Sequence, residues 1–223
     1  ISPYMIFEGN RSVIDAIKEK KKLIDAGQPH EHIKILLFVD GGLMKGAYAI
    51  GAGLALEELG YNHCFSSIVG VSSGAPSVVY FVSKETYRGA SLLWEECCSR
   101  KFMNVWRFWN QEDTNFLINL LKRGAKQLHT QKIFSSPVNL YIAVTNYQTG
   151  EPRLIKPCTD TELFTVLQAS VLMPNISTDV VRLEGERYVD GGFCRPHALR
   201  LAIDEIDASH ILVLTSQDKH VTK

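Results

Sequence analysis

The sequence predicts an α/β fold, a three-layer sandwich whose mostly parallel central sheet is covered by helices on both faces. Three observations lead there. Short apolar runs rich in β-branched residues, such as 33–39, show no polar alternation, as expected of strands buried on both faces. These runs alternate with longer helical patterns, the order that yields parallel sheets. The junctions between run and helix are small and glycine-rich, at Asp40-Gly41-Gly42-Leu43-Met44-Lys45-Gly46 and at Gly70-Val71-Ser72-Ser73-Gly74.

Taken in order, residues 10–26 read as an amphipathic helix. Val13, Ile14, Ile17 and Ile24 share a face, Asn10 or Ser12 can cap it, and Gly27 with Pro29 stops it. Its run Lys18-Glu19-Lys20-Lys21-Lys22 reads as a solvated outer face, with contact to anionic lipid heads as the alternative. A buried strand over 33–39 leads into the first glycine-rich turn and a small-residue helix over 47–59, ended by Gly60. A second buried strand, 65–71, leads into Ser72-Ser73-Gly74 and another helix. Residues 87–128 read as helical, 138–145 as a third strand and 161–172 as a helix. Segments 180–183 and 187–189 flank Glu184-Gly185-Glu186 as a hairpin, followed by a helix over 196–206 and a strand over 211–215.

Composition narrows the function classes. The 223 residues are 45% hydrophobic and 22% charged, an ordinary globular balance. The 24 basic and 24 acidic residues cancel, so no global field would draw in nucleic acid, and no nucleic-acid partner is expected. The five cysteines lack C-x-x-C spacing and read as reduced thiols, not as a disulfide framework or zinc site. No metal and no cofactor is expected. No apolar run approaches the roughly 20 residues that span a bilayer, and the start does not read as a signal peptide. A cytoplasmic location is the expectation.

The two glycine-rich junctions carry the chemistry. Gly70-Val71-Ser72-Ser73-Gly74 is G-x-S-x-G between a strand and a helix, the context in which a sharp turn lifts a serine hydroxyl out of the sheet. Gly41-Gly42-Leu43-Met44-Lys45-Gly46 presents backbone N–H groups to an anion. It lacks the G-K-[ST] ending of a phosphate loop, so an oxyanion hole is the better reading. Asp190-Gly191-Gly192 follows the hairpin and by itself reads as a tight turn.

The order of these motifs resembles the patatin-like phospholipases: a glycine-rich oxyanion turn, a G-x-S-x-G roughly thirty residues later, then D-G-[GA] well downstream. Ala169-Ser170-Val171-Leu172-Met173-Pro174 is similar to that family's alanine/serine segment ending in proline, and the likeness runs from Ile33 to Thr215. It implies Ser72 as nucleophile, Asp190 as its dyad partner, and the amides of Gly41, Gly42 and Leu43 as oxyanion donors. Lys45, Gly46, Gly70, Gly74, Gly191 and Gly192 support the motifs. Leu43 departs from the pattern, where the family has a third glycine. We expect it to keep a negative φ, with Gly41 and Gly42 supplying the essential amides. The resemblance also implies a lipid ester substrate, with transient contact to a membrane surface. The expected division is an N-terminal helical extension over 1–32 and a catalytic domain over 33–223, truncation at its C-terminal end left open; oligomeric state is not legible. Two other readings stand beside this one. An α/β-hydrolase triad would take Ser72, Asp160 and His210, and a non-catalytic lipid-binding module would keep only the fold. The aromatic segment 102–109 suits an acyl pocket, a lid or plain core.

Overall fold

The computed structural model describes residues 7–42, 45–99, 101–102, 113–124, 126–174, 176–177 and 179–216. Its strands are β1 (Ile35–Val39), β2 (Ser67–Val71), β3 (Asn139–Asn146), β4 (Pro152–Ile155), β5 (Val181–Leu183), β6 (Glu186–Asp190) and β7 (His210–Leu214). They form one sheet, hydrogen-bonded in the order β5-β6-β3-β2-β1-β7, with β4 also paired to β3. β7, β1, β2 and β3 run parallel, whereas β4, β5 and β6 enter by antiparallel pairs. Every residue of β1 and β2 is buried, which accords with the unbroken apolar run of β1 and the lack of polar alternation in β2.

The described helices are α1 (Ser12–Asp25), α2 (Gly46–Glu58), α3 (Gly74–Val82), α4 (Thr86–Leu92), α5 (Thr114–Lys122), α6 (Thr130–Phe134), α7 (Asp160–Val171) and α8 (Ala198–Glu205). They cover both faces unequally. Ile35, Leu37 and Val39 of β1 point into the larger core with residues of α1, α3, α5 and α7. Leu36 and Phe38, on the opposite face, pack with Ala198 and Ala202 of α8. The period of two along β1 is thus visible in which core each side chain joins.

Three segments depart from the sequence reading. The helical stretch expected over 87–128 is interrupted: α4 passes into a π-helical turn, Leu93–Cys97, and α5 starts afresh at Thr114, capped by the Asp113 side chain. β4 is an additional strand, on which Pro152, Arg153 and Leu154 are only half-buried, so neither alternation nor an apolar run marks it. Lys20, read as part of a solvated face, is buried. It lies three and seven residues after Ile17 and Val13, hence on the face α1 turns to the core. Its ammonium donates to Ile33 O at 2.8 Å and Ser66 Oγ at 2.7 Å, and burial lowers its pKa. Lys20→Ala is expected to lower stability by about 1–3 kcal/mol, because the Ile33 carbonyl loses its donor; the urea midpoint measures it. No change would make the clamp dispensable.

Candidate active site

The register of β3 brings the two motif residues together. β4 pairs with residues 142–145 of β3, overlapping both β2, which pairs with 139–143, and β6, which pairs with 144–146. β2 and β6 therefore share the other edge of β3 and meet head to head, with Val71 opposite Ala143 and Asp190 opposite Val144. Ser72 follows the last residue of one strand, and Asp190 is the last residue of the other. Ser72 Oγ donates to Asp190 Oδ2 at 2.6 Å, and both residues are buried.

Ser72 sits at φ 52°, a conformation that costs a non-glycine residue about 1–3 kcal/mol. The surroundings hold it there. Its N–H donates to Ser170 Oγ at 3.1 Å, Ser170 Oγ donates to Ala143 O at 2.8 Å, and Ala75 N–H donates to Ser72 O at 2.9 Å. The flanking glycines make room for this turn. A Cβ on Gly70 would lie 2.5 Å from Val78 Cγ2, and one on Gly74 only 2.4 Å from Val39 O. Asp190 is fixed as firmly: Gly192 N–H donates to its Oδ1 at 2.7 Å, and Thr145 Oγ1 donates to its backbone oxygen at 2.8 Å. A Cβ on Gly191 would lie 2.5 Å from Ala143 O.

Burial pushes the Asp190 carboxyl up to about 6, against the opposing pull of its hydrogen bonds from Ser72 and Gly192, with the Asp40 charge adding a further upward push. Such a carboxylate is a markedly stronger base than a free aspartate, whose pKa is about 3.9.

The first amide of the glycine-rich loop has a side-chain partner. Gly41 N–H donates to Asp40 Oδ1 at 2.8 Å, so that amide is already committed. The residue is glycine because of crowding: a Cβ there would lie 2.5 Å from Ser72 Cβ. Asp40 is held in turn by the Thr215 hydroxyl at 3.1 Å and lies 3.4 Å from His197 Nε2. Lys45 has an exposed side chain and closes the loop through its backbone, donating to Gly42 O at 3.0 Å. Leu43, with its expected φ and amide, lies outside the described residues.

The alternative triad is not assembled. His210 opens β7 opposite Ile35, at the start of the parallel strands, whereas Ser72 lies beyond the other end of the sheet. Asp160 is the first residue of α7. Sequence reasoning assigned no role to Ser170, Asp40 or Thr145. Ser170 alone leaves a trace, as a polar residue on the fully buried face that α7 forms with Leu163, Val166 and Leu167.

From Ser72 and Asp190 a pocket, open to solvent at its mouth, runs between helices and is walled by Ile50, Pro76, Leu92, Leu93, Phe102 and Leu117 among others. Phe102 belongs to the aromatic segment, of which 103–109 lie outside the described residues. Among the described residues no group of three or more His, Cys, Asp or Glu side chains could hold a metal. Nor is any described helix long and apolar enough to cross a membrane.

The model of the patatin-like phospholipase family matches residues 37–203, three quarters of the chain. The chain belongs to this family. Patatin-like residues thus span from within β1 into α8, and include both glycine-rich junctions and the Asp190 turn. Escherichia coli (strain K12) YjjU, itself uncharacterized, is 24% identical over 170 residues, which are 74% of this chain and 47% of YjjU. Among solved structures, VipD from Legionella pneumophila superposes with a TM-score of 0.57 at 16% identity, over 85% of this chain and 51% of VipD. ExoU of Pseudomonas aeruginosa, in complex with SpcU, matches at a TM-score of 0.38 and 18% identity over 66% of this chain and 39% of ExoU. The chain spans about half the length of YjjU and VipD. The VipD likeness supports the α/β layering described above.

Proposed function

We propose that this patatin-like chain is a serine acyl hydrolase that cleaves carboxylic esters of lipids. The observation that carries the reading is the 2.6 Å hydrogen bond from Ser72 Oγ to Asp190 Oδ2 at the head of an apolar pocket. A serine hydroxyl needs a base, and a buried carboxylate with pKa near 6 is one. Ser72 Oγ attacks the ester carbonyl carbon while its proton passes to Asp190. The resulting oxyanion faces the glycine-rich loop, where Gly42 and Leu43 keep the donor role that the motif implies while Gly41 supplies space. Collapse returns the proton to the departing alkoxide and leaves an acyl-Ser72. Water, deprotonated by Asp190, then releases the carboxylic acid and restores the dyad. The apolar walls suit the acyl chain, so a lipid ester is the substrate class and transient contact with a lipid surface is its source.

The test is twofold. A fluorophosphonate is expected to modify the protein at Ser72, read by peptide mass, and p-nitrophenyl acyl esters are expected to be turned over. The sign of the pH dependence follows from Asp190, which must be ionised to accept the proton. Activity is lost as pH falls through its pKa, so kcat/KM should show an acid limb with its midpoint near 6. A midpoint near 4 would mean that the base is a solvated carboxylate, and no labelling of Ser72 would favour the non-catalytic lipid-binding module.

A further inference from the structure

Ser73 follows the nucleophile and stands at the N-terminus of α3, yet its side chain makes no capping bond. Its Oγ is shielded from solvent and has no hydrogen-bond partner, although the residue lines the same pocket as Ser72 and Asp190. Leaving a buried hydroxyl unpaired is destabilising, and folded proteins retain few such groups without a reason. Alanine would fit the position without that cost.

Its placement suggests the reason. A Cβ on Gly46 would lie 2.7 Å from Ser73 Oγ, and one on Gly41 would lie 2.5 Å from Ser72 Cβ. The two ends of the glycine-rich loop thus rest on two consecutive serines, the first on the nucleophile and the second on the unpaired hydroxyl. The loop's first amide already has a partner, since Gly41 N–H donates to Asp40 Oδ1. Among the described residues the site thus has one motif amide already partnered and one unpartnered hydroxyl a residue away from Ser72.

We infer that Ser73 is a further catalytic residue, its hydroxyl turning about the Cα–Cβ bond out of its shielded position to donate a hydrogen bond to the oxyanion that forms when Ser72 attacks the ester. The inference rests on the acyl hydrolase reading above. The Ser73 proton stays on its oxygen throughout. Serine side chains serve in oxyanion holes elsewhere. A donor that is unsatisfied in the resting enzyme and satisfied only when charge develops favours the transition state over the ground state, which is what raises kcat. The N-terminus of the nine-residue α3 adds favourable potential at the same place.

The experiment compares wild type, Ser73→Ala and Ser73→Thr on p-nitrophenyl butyrate, with melting temperatures and pH profiles measured alongside. Ser73→Ala is expected to lose about 10²-fold in kcat, with KM little changed, the acid midpoint where wild type has it and the melting temperature equal or higher. Fluorophosphonate labelling should slow in parallel, because the phosphoryl oxygen occupies the oxyanion position. Ser73→Thr, which keeps the hydroxyl, should recover most of the rate. Wild-type kcat in Ser73→Ala overturns the inference while leaving the dyad reading intact. Loss of rate in both variants with a lowered melting temperature also overturns it, in favour of a packing role. A wild type that turns over no ester removes the dyad reading, and this inference with it.

Discussion

Asp190→Asn is expected to lower kcat/KM for a soluble p-nitrophenyl ester by about 10²–10⁴-fold, and Ser72→Ala to bring it to background, both without loss of fold. The asparagine keeps the shape and one carbonyl oxygen for Gly192 N–H, which now binds Asp190 Oδ1. Its amide nitrogen would face Ser72 Oγ, so the serine is still held but has no base. Stability should not suffer. A folded-state pKa raised above the unfolded value means that the ionised carboxylate disfavours folding; the contribution it makes below its unfolded pKa is lost as pH rises through about 6. At pH 8 the neutral asparagine avoids that penalty, so its melting temperature should equal or exceed that of wild type, with the difference vanishing near pH 4. Because the two residues act as one unit, the double variant should be no slower than Ser72→Ala alone. Substantial activity in Asp190→Asn, with loss in His197→Ala or His210→Ala, would instead establish a histidine base.

What the sequence makes legible and what it hides divide along sequence distance. Ser72 can be read because the features that expose it are adjacent: a buried strand, small flanking residues and a helix, all within a few positions. Asp190 is legible only through its place in an ordered set of motifs, since D-G-G alone is a turn. Ser170 and Thr145 hold the pair in place, yet their partners lie 98 and 45 residues away, at Ser72 N–H and Asp190 O. No local pattern reports a register between β2, β3 and β6. The same holds for Lys20, whose charge reads as exposure until the Ser66 hydroxyl, 46 residues on, is brought beside it. The commitment of Gly41 N–H to the neighbouring carboxylate is local, but a glycine-rich run cannot say which of its amides points outward. In each case the residue type was visible and its partner was not.

Gly74→Ala carries the second large expected effect, and it tests the elbow as a steric construction. The added methyl would lie 2.4 Å from Val39 O, 3.0 Å from Asp40 O and 3.1 Å from Val39 C. All three are backbone atoms at the end of β1, a fully buried central strand between β2 and β7, so no side-chain rotation relieves the contact. Either α3 moves away from β1 or β1 moves off its neighbours. Overpacking of this kind costs about 1–3 kcal/mol, which for a domain of this size lowers the melting temperature by about 2–4 °C per kcal/mol. The kinetic cost should be larger than the thermodynamic one. Ser72 stands two residues before Gly74, and a shift of about 1 Å in a reacting group can cost 10²-fold in rate. Gly51→Ala is the matching control: a Cβ there meets nothing within 4 Å, and the residue lies inside α2. Alanine in a helix interior is favoured over glycine by about 0.5–1 kcal/mol, so this variant should melt higher and keep its rate. The opposite signs separate a glycine required by close approach from one that is merely tolerated. Equal behaviour of the two variants would mean that the contact between α3 and β1 does not set the position of Ser72.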